Sequence, residues 1–308
     1  MFDQTHWLQR PEGRTAFHYL PATGTARGIL LIAHGLAEHS KRYAAFADYM
    51  SSRGYHVYAF DHRGHGETKA PDAPLGQFAR KDGFKVVIDD VAAMRTHAAE
   101  ANPYLPIVLF GQSMGGLITM NCAVSHPGHY DAIAIFNSNL RLGIAGTGAK
   151  ALLWMERALK GSDVPSALLP KLTFSAWGRS IKGHRTDFDW LSRDESEVDR
   201  YISDPLCGFD ASVSMWLDIV EMSSRPLRQQ SLAALAKDKP IYLVGGGADP
   251  ATDHAKAITS LADYLRGRGF SKVTTRIYED MRHETLKEFG REGAMAEFAD
   301  WCDTSLKS

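Results

Sequence analysis

Three polar residues stand where a folded chain can activate a serine. Ser113 lies within Gly111-Gln112-Ser113-Met114-Gly115. Asp249 follows the run Gly245-Gly246-Gly247-Ala248, and His283 follows the alternating segment 273–278. A serine hydroxyl is a poor nucleophile at neutral pH. It needs a base to take its proton and a third group to orient that base. The chemistry within reach of such a set is acyl transfer through a covalent serine intermediate. With 27 glycines in the chain, Gly-x-Ser-x-Gly alone says little. Its setting says more: an apolar run ends just before it and a helix-like run begins just after. A serine on so tight a turn needs neighbours without side chains, because a Cβ would clash. The helix behind it offers free N–H groups and a positive dipole end.

Rivals for the acid and the base are weaker. Asp253 lies one turn beyond Asp249 and is expected instead to open the helix beginning near His254. Asp280 is too close in sequence to His283 to reach it from a separate strand. Of 13 histidines, only His283 falls between the last strand and the terminal helix. Acyl transfer also needs two N–H groups aimed at the developing oxyanion. Met114 supplies one, and Leu36, in the turn His34-Gly35-Leu36, supplies the other. Glu38, His39 and Arg42 follow that turn, either bracing it or beginning a helix.

These residues need a scaffold of strands and helices. Nearly continuous apolar runs at 28–34, 55–60, 106–110, 132–136 and 241–244 predict strands covered on both faces. The alternation over 273–278 predicts an edge strand. Helical patterns over 43–53, 86–100, 113–125, 255–266 and 293–306 fall between them. Such alternation predicts an α/β fold, a mostly parallel central sheet flanked by helices. Residues 140–225 break the rhythm. They show no strong strand signal, carry Pro165, Pro170 and Pro205, and hold four of the six tryptophans. Their place in the strand order predicts an inserted helical cap, with the core formed by 1–139 and 226–308. Trp154, Trp177 and Trp216 are candidates to line an apolar substrate pocket there, against the plainer reading that they pack a core.

Composition narrows the function further. The 308 residues are 44% apolar, ample for a large core, and the net charge of −1 leaves no basic footprint for nucleic acid. The three cysteines, Cys122, Cys207 and Cys302, have no metal-ligand spacing and suit a reducing compartment. The first residues do not read as a signal peptide, and the longest clean apolar run, 29–33, cannot cross a bilayer. A cytoplasmic location is the expectation. Asp61, His62 and His65 sit in a glycine-containing turn without a further ligand set. No phosphate- or dinucleotide-binding glycine motif follows a strand. No metal and no cofactor is expected.

With these segments assembled, the chain resembles the monoacylglycerol lipase and lysophospholipase branch of the α/β-hydrolases. The resemblance rests on His34-Gly-Leu-Ala-Glu-His-Ser-Lys-Arg-Tyr43, Asp61-His-Arg-Gly-His-Gly66, Gly111-Gln-Ser-Met-Gly-Gly116, Gly247-Ala-Asp249 and His283-Glu-Thr-Leu-Lys-Glu288. Gln112 stands where histidine is common in that branch, a departure that leaves the chemistry intact. The resemblance implies an α/β-hydrolase fold with a helical cap and hydrolysis of carboxylic esters, often of single-chain acyl lipids such as monoacylglycerol or lysophospholipid. The expected partner is therefore a small-molecule acyl ester, with peripheral membrane or micelle contact through the cap left open. The cap chooses the substrate and transfers least. The alternatives are a short-chain carboxylesterase and a cap-bearing serine aminopeptidase. The peptidase would hold a substrate ammonium on cap carboxylates such as Asp187, Asp189, Asp194, Glu195 and Glu197. Acyl transfer to an alcohol and an inactive binding protein of the same fold complete the set. Oligomeric state is not legible.

Overall fold

The computed structural model describes residues 2–306. Eight strands form one sheet: β1 (His6–Arg10), β2 (Gly13–Leu20), β3 (Gly28–Ala33), β4 (Tyr55–Phe60), β5 (Ile107–Gln112), β6 (Ala132–Phe136), β7 (Ile241–Gly246) and β8 (Val273–Tyr278). Their order is β1-β2-β4-β3-β5-β6-β7-β8. β1–β2 and β2–β4 pair antiparallel, and the other pairs are parallel. This is the mostly parallel α/β sheet expected from the sequence, with β8 at its edge.

Period two divides the central strands between two cores. Ile29, Leu31 and Ala33 of β3 face one apolar cluster, and Leu30 and Ile32 face the other. The first cluster packs under α2 (Gly83–Ala101), α3 (Met114–Ser125) and α10 (Lys256–Gly267). The second packs under α1 (Ala44–Ser52) and α11 (Arg291–Ser305). The chain leaves β3 for β4 on one side, then returns past β3 to β5 on the other. Open α/β sheets bind ligands at such a switch point, outside the carboxyl ends of the strands. The residues after β3 and β5 there are His34-Gly35-Leu36 and Ser113.

β1 and β2 were not expected. They carry Arg10, Arg14 and His18 among their apolar residues and remain partly exposed, so no continuous apolar run marks them. Between β6 and β7 no strand joins the sheet. That stretch holds α4 (Gly143–Lys160), α5 (Leu169–Leu172), α6 (Phe174–Ser180), α7 (Glu195–Ser203), α8 (Val213–Ser224) and α9 (Gln229–Ala233). Among the described residues no helix is long and apolar enough to cross a membrane.

Candidate active site

Ser113 sits between β5 and α3 with φ 54° and ψ −117°, a conformation that side-chain-bearing residues rarely adopt. The glycines around it are sterically required. A Cβ at Gly111 would collide with the Gly115 carbonyl, one at Gly115 with the Ala33 carbonyl, and one at Gly116 with Ser138. The turn is pinned by two bonds. The Ser113 N–H donates to the Phe136 carbonyl at 2.8 Å, and the Ser138 hydroxyl donates to the Ser113 carbonyl at 2.6 Å.

Behind it, His283 Nδ1 lies 2.9 Å from Asp249 Oδ2. His283 is 4% exposed and Asp249 wholly buried. Asp249 also accepts from the Thr252 hydroxyl (2.8 Å), the Ala251 N–H (2.9 Å) and Asn137 Nδ2 (3.2 Å). A carboxylate surrounded by donors must accept from the imidazole as well, which places the Nδ1 proton on His283 and leaves Nε2 free as a base. Gln112 Nε2 donates to the His283 carbonyl at 2.7 Å. The residue that departs from the family pattern thus ties the serine turn to the histidine loop. Asp253 takes no part. It pairs with Lys256 and does not cap α10, whose N-cap is Ala255. The position in sequence suggested a cap, but Asp253, His254 and Ala255 all adopt left-handed conformations that carry the chain away before the helix begins.

The turn His34-Gly35-Leu36 is held from both sides. His34 Nδ1 lies 2.7 Å from the Gly35 carbonyl, and His34 Nε2 accepts the His62 N–H at 3.0 Å. Nδ1 is therefore the donor, and it fixes the Gly35 carbonyl. The trans peptide then aims the Leu36 N–H to the opposite side. Gly35 approaches Ser113 so closely that an added Cβ would lie 3.4 Å from the Ser113 Cβ. Glu38 accepts the Gly35 N–H at 2.6 Å and the Tyr43 hydroxyl at 2.7 Å. Arg42 joins Glu38 (2.6 Å) to Glu284, the neighbour of His283, through two bonds of 2.5 and 2.8 Å. Burial alone would push the Glu38 carboxyl up; Lys287 and Arg42 outweigh it and hold it well below the usual carboxylate range. Glu38 and Arg42 brace the turn, whereas His39 turns away to Asp204 at 2.8 Å. Among the described residues the one His/Cys/Asp/Glu group compact enough for a metal is His39, Asp204 and Cys207, and there His39 and Asp204 already engage each other.

A cavity of about 580 Å³ opens on Ser113 and His283. Leu36 and Met114 line it, as do Trp177 and Trp216. Trp154 does not. It is 51% exposed, with the Arg157 guanidinium over its ring, because it falls on the outer face of α4. Four of the carboxylates of the segment between β6 and β7 are engaged elsewhere: Asp189 by Arg185 and Thr186, Asp194 as the N-cap of α7, Glu195 by Arg185, and Glu197 by Arg200 and Arg291. Sequence reasoning missed Asn137 and Trp190. Asn137 follows β6 at φ 48°, a left-handed position that asparagine tolerates, so an asparagine directly after a strand was the available signal. Trp190 packs on His283 with ring centroids 4.8 Å apart, which nothing in its local sequence indicates.

An eight-stranded, mostly parallel sheet with a strained serine at the switch point and a buried Asp–His pair beyond it defines an α/β-hydrolase. The chain belongs to the family described as "Serine aminopeptidase, S33", which matches residues 24–289. It is similar to human monoglyceride lipase, 29% identical over 284 residues that cover 91% of this chain and 84% of the human protein. It is also similar to the monoacylglycerol lipase of Mycolicibacterium smegmatis, 26% identical over 91% of this chain and 89% of that protein. The solved structure of a thermostable carboxyl esterase from Bacillus coagulans superposes with a TM-score of 0.89 over 98% of both chains at 21% identity, a likeness of fold.

Proposed function

We propose that this protein hydrolyses carboxylic esters of single-chain acyl lipids, monoacylglycerols or lysophospholipids, through an acyl-enzyme on Ser113. The Ser113 oxygen attacks the ester carbonyl carbon as its proton passes to His283 Nε2. The N–H groups of Leu36 and Met114 take the oxyanion. The carbon–oxygen bond to the alcohol then breaks, and His283 returns the proton to the departing alcohol. Water repeats the sequence: its proton goes to His283, its oxygen joins the acyl carbon, and the acid leaves as Ser113 regains its proton. Asp249 holds the Nδ1 proton and stabilises the imidazolium.

The observation that carries this reading is the 2.9 Å Asp249–His283 bond behind a largely apolar cavity shared by Ser113 and His283. Residues 140–225 act as the cap over that cavity, with Trp177 and Trp216 against the acyl chain. Leu172 lines the cavity and is also exposed, and Ile144, Met155 and Leu159 are exposed on α4, the helix whose Ala145, Gly148, Ala149 and Leu152 line the cavity. These exposed apolar side chains suit contact with lipid aggregates. A peptidase would need carboxylates in the cavity; of its lining residues only Asp253 is acidic.

The test is hydrolysis of p-nitrophenyl esters from acetyl to palmitoyl by wild type and Ser113→Ala, below and above the critical micelle concentration. Ser113→Ala should lose about 10⁴- to 10⁶-fold in rate. Wild type should prefer medium or long chains and speed up on aggregates. Preference for acetyl would leave an esterase and remove the lipid. A wild-type rate in the mutant would remove the mechanism.

A further inference from the structure

His283 is held as much by the segment between α6 and α7 as by the sheet. Its N–H donates to the Trp190 carbonyl at 3.3 Å, and the Glu284 N–H donates to the Leu191 carbonyl at 2.8 Å. Arg282 donates to the carbonyls of Asp189 (2.6 Å) and Ser192 (3.0 Å), and the Ser192 hydroxyl donates to the Lys287 carbonyl at 2.9 Å. This strap, 189–192, carries the Trp190 indole onto the imidazole at 4.8 Å and 57°. Trp190 is 4% exposed and does not line the cavity. Phe174 stacks on it at 5.6 Å and Trp177 meets it edge-on at 4.9 Å, which fixes the indole plane. Its buried Nε1–H has no partner, so packing alone accounts for its placement.

We propose that Trp190 is a positioning residue for His283. The proposal rests on the Ser113–His283–Asp249 reading. The indole closes the side of the imidazole away from the cavity and keeps water from the Asp249–His283 bond. Exclusion of water strengthens that charge-bearing bond, and the aromatic face favours the imidazolium formed during attack. The strap thereby belongs to the scaffold of the base, although it comes from the helical insert. Any opening of the cap has to pivot elsewhere, since moving 189–192 would carry His283 away from Asp249.

The experiment measures kcat and KM with p-nitrophenyl octanoate for wild type, Trp190→Ala, Trp190→Leu, Trp190→Phe and Leu172→Ala. It also measures the rate at which a fluorophosphonate labels Ser113. Trp190→Ala should lower kcat and the labelling rate together by about 10- to 100-fold, the scale of a slightly misplaced catalytic group, with KM little changed. Trp190→Phe should restore most of the loss and Trp190→Leu should not. Leu172→Ala, at the cavity wall, should act on KM instead. A raised KM at unchanged kcat in Trp190→Ala, or no change in either, would overturn the proposal. So would Trp190→Leu matching Trp190→Phe, a comparison that decides the matter even where the alanine variant does not fold. Wild-type rates in Ser113→Ala and His283→Ala would remove the underlying triad, a result distinct from an inert Trp190.

Discussion

The two arms of the site are held by different physics. Ser113 is fixed chiefly by sterics around its own turn, whose glycines pack against Gly115, Ala33 and Ser138. Glycines at 111, 115 and 116 occupy places where any Cβ collides, and β5 and α3 leave the turn one conformation. His283 has no such local constraint. Its position depends on Asp249, 34 residues before it, on Gln112, 171 residues before it, and on the 189–192 strap. An arm built on local sterics resists loosening unless its glycines change. An arm built on long-range hydrogen bonds can be loosened by altering any one partner.

That contrast can be attacked at several strengths. The largest effect belongs to Asp249→Asn. Asp249 is a pure acceptor for four donors, and an amide can present its own N–H₂ to the imidazole and reverse the tautomer. kcat should fall by about 10⁴ with the fold intact, measured with the octanoate ester and a denaturant midpoint. Retained activity would mean the base arm does not depend on its acid. Next comes Arg42, the buried guanidinium that links Glu38 on the oxyanion side to Glu284 on the base side. Arg42→Met leaves two carboxylates buried without that partner and should cost about 3–5 kcal/mol of stability, read by guanidinium denaturation. An unchanged midpoint would show that the two arms are held independently.

The smallest effect is graded with pH. His34, His62 and His65 lie together beneath the oxyanion turn, with His34–His62 and His34–His65 centroids 4.4 and 5.0 Å apart. Burial lowers all three from the usual 6.5, His65 to about 3. Since the unfolded chain takes up these protons first, their contribution is whole above pH 6.5. It declines as the pH falls toward the folded values. Each histidine contributes up to about 1.4 kcal/mol per pH unit. Asp218, pushed up to about 6 by burial, works the other way from pH 6 to 4 and offsets part of the slope. The midpoint should therefore fall between pH 7 and 5, and His65→Gln should flatten the fall. A midpoint constant over that range would mean the cluster accepts protons when folded.

The sheet was legible in the sequence wherever strands are buried on both faces, because short continuous apolar runs such as Ile29-Leu30-Leu31-Ile32, bounded by turns, have few other uses. It was illegible at β1 and β2, where Arg10, Arg14 and His18 interrupt the apolar residues. Glycine spacing and strand order singled out Ser113, Asp249 and His283, and the fold joins Asp249 to His283 and opens one cavity on Ser113 and His283. Asn137, Trp190 and the inward orientation of Trp177 but not Trp154 could not be read that way. The insert is made of short helices whose facing residues depend on how each helix rotates against the sheet.

The sequence by itself determined the serine turn, the chain order of the acid and the histidine, and a mostly parallel sheet to carry them. These features follow from local backbone sterics and from the periodicity of burial, both written along the chain. Only the tertiary structure decided what surrounds the imidazole: the Gln112 bond to its loop, the Arg42 link to the oxyanion turn and the Trp190 ring against its side. Those contacts join residues up to 242 positions apart. The Trp190 contact is set by the docking of the helical insert, and the other two by how the segments after β3, β5 and β8 meet at the carboxyl edge of the sheet, which no local pattern encodes.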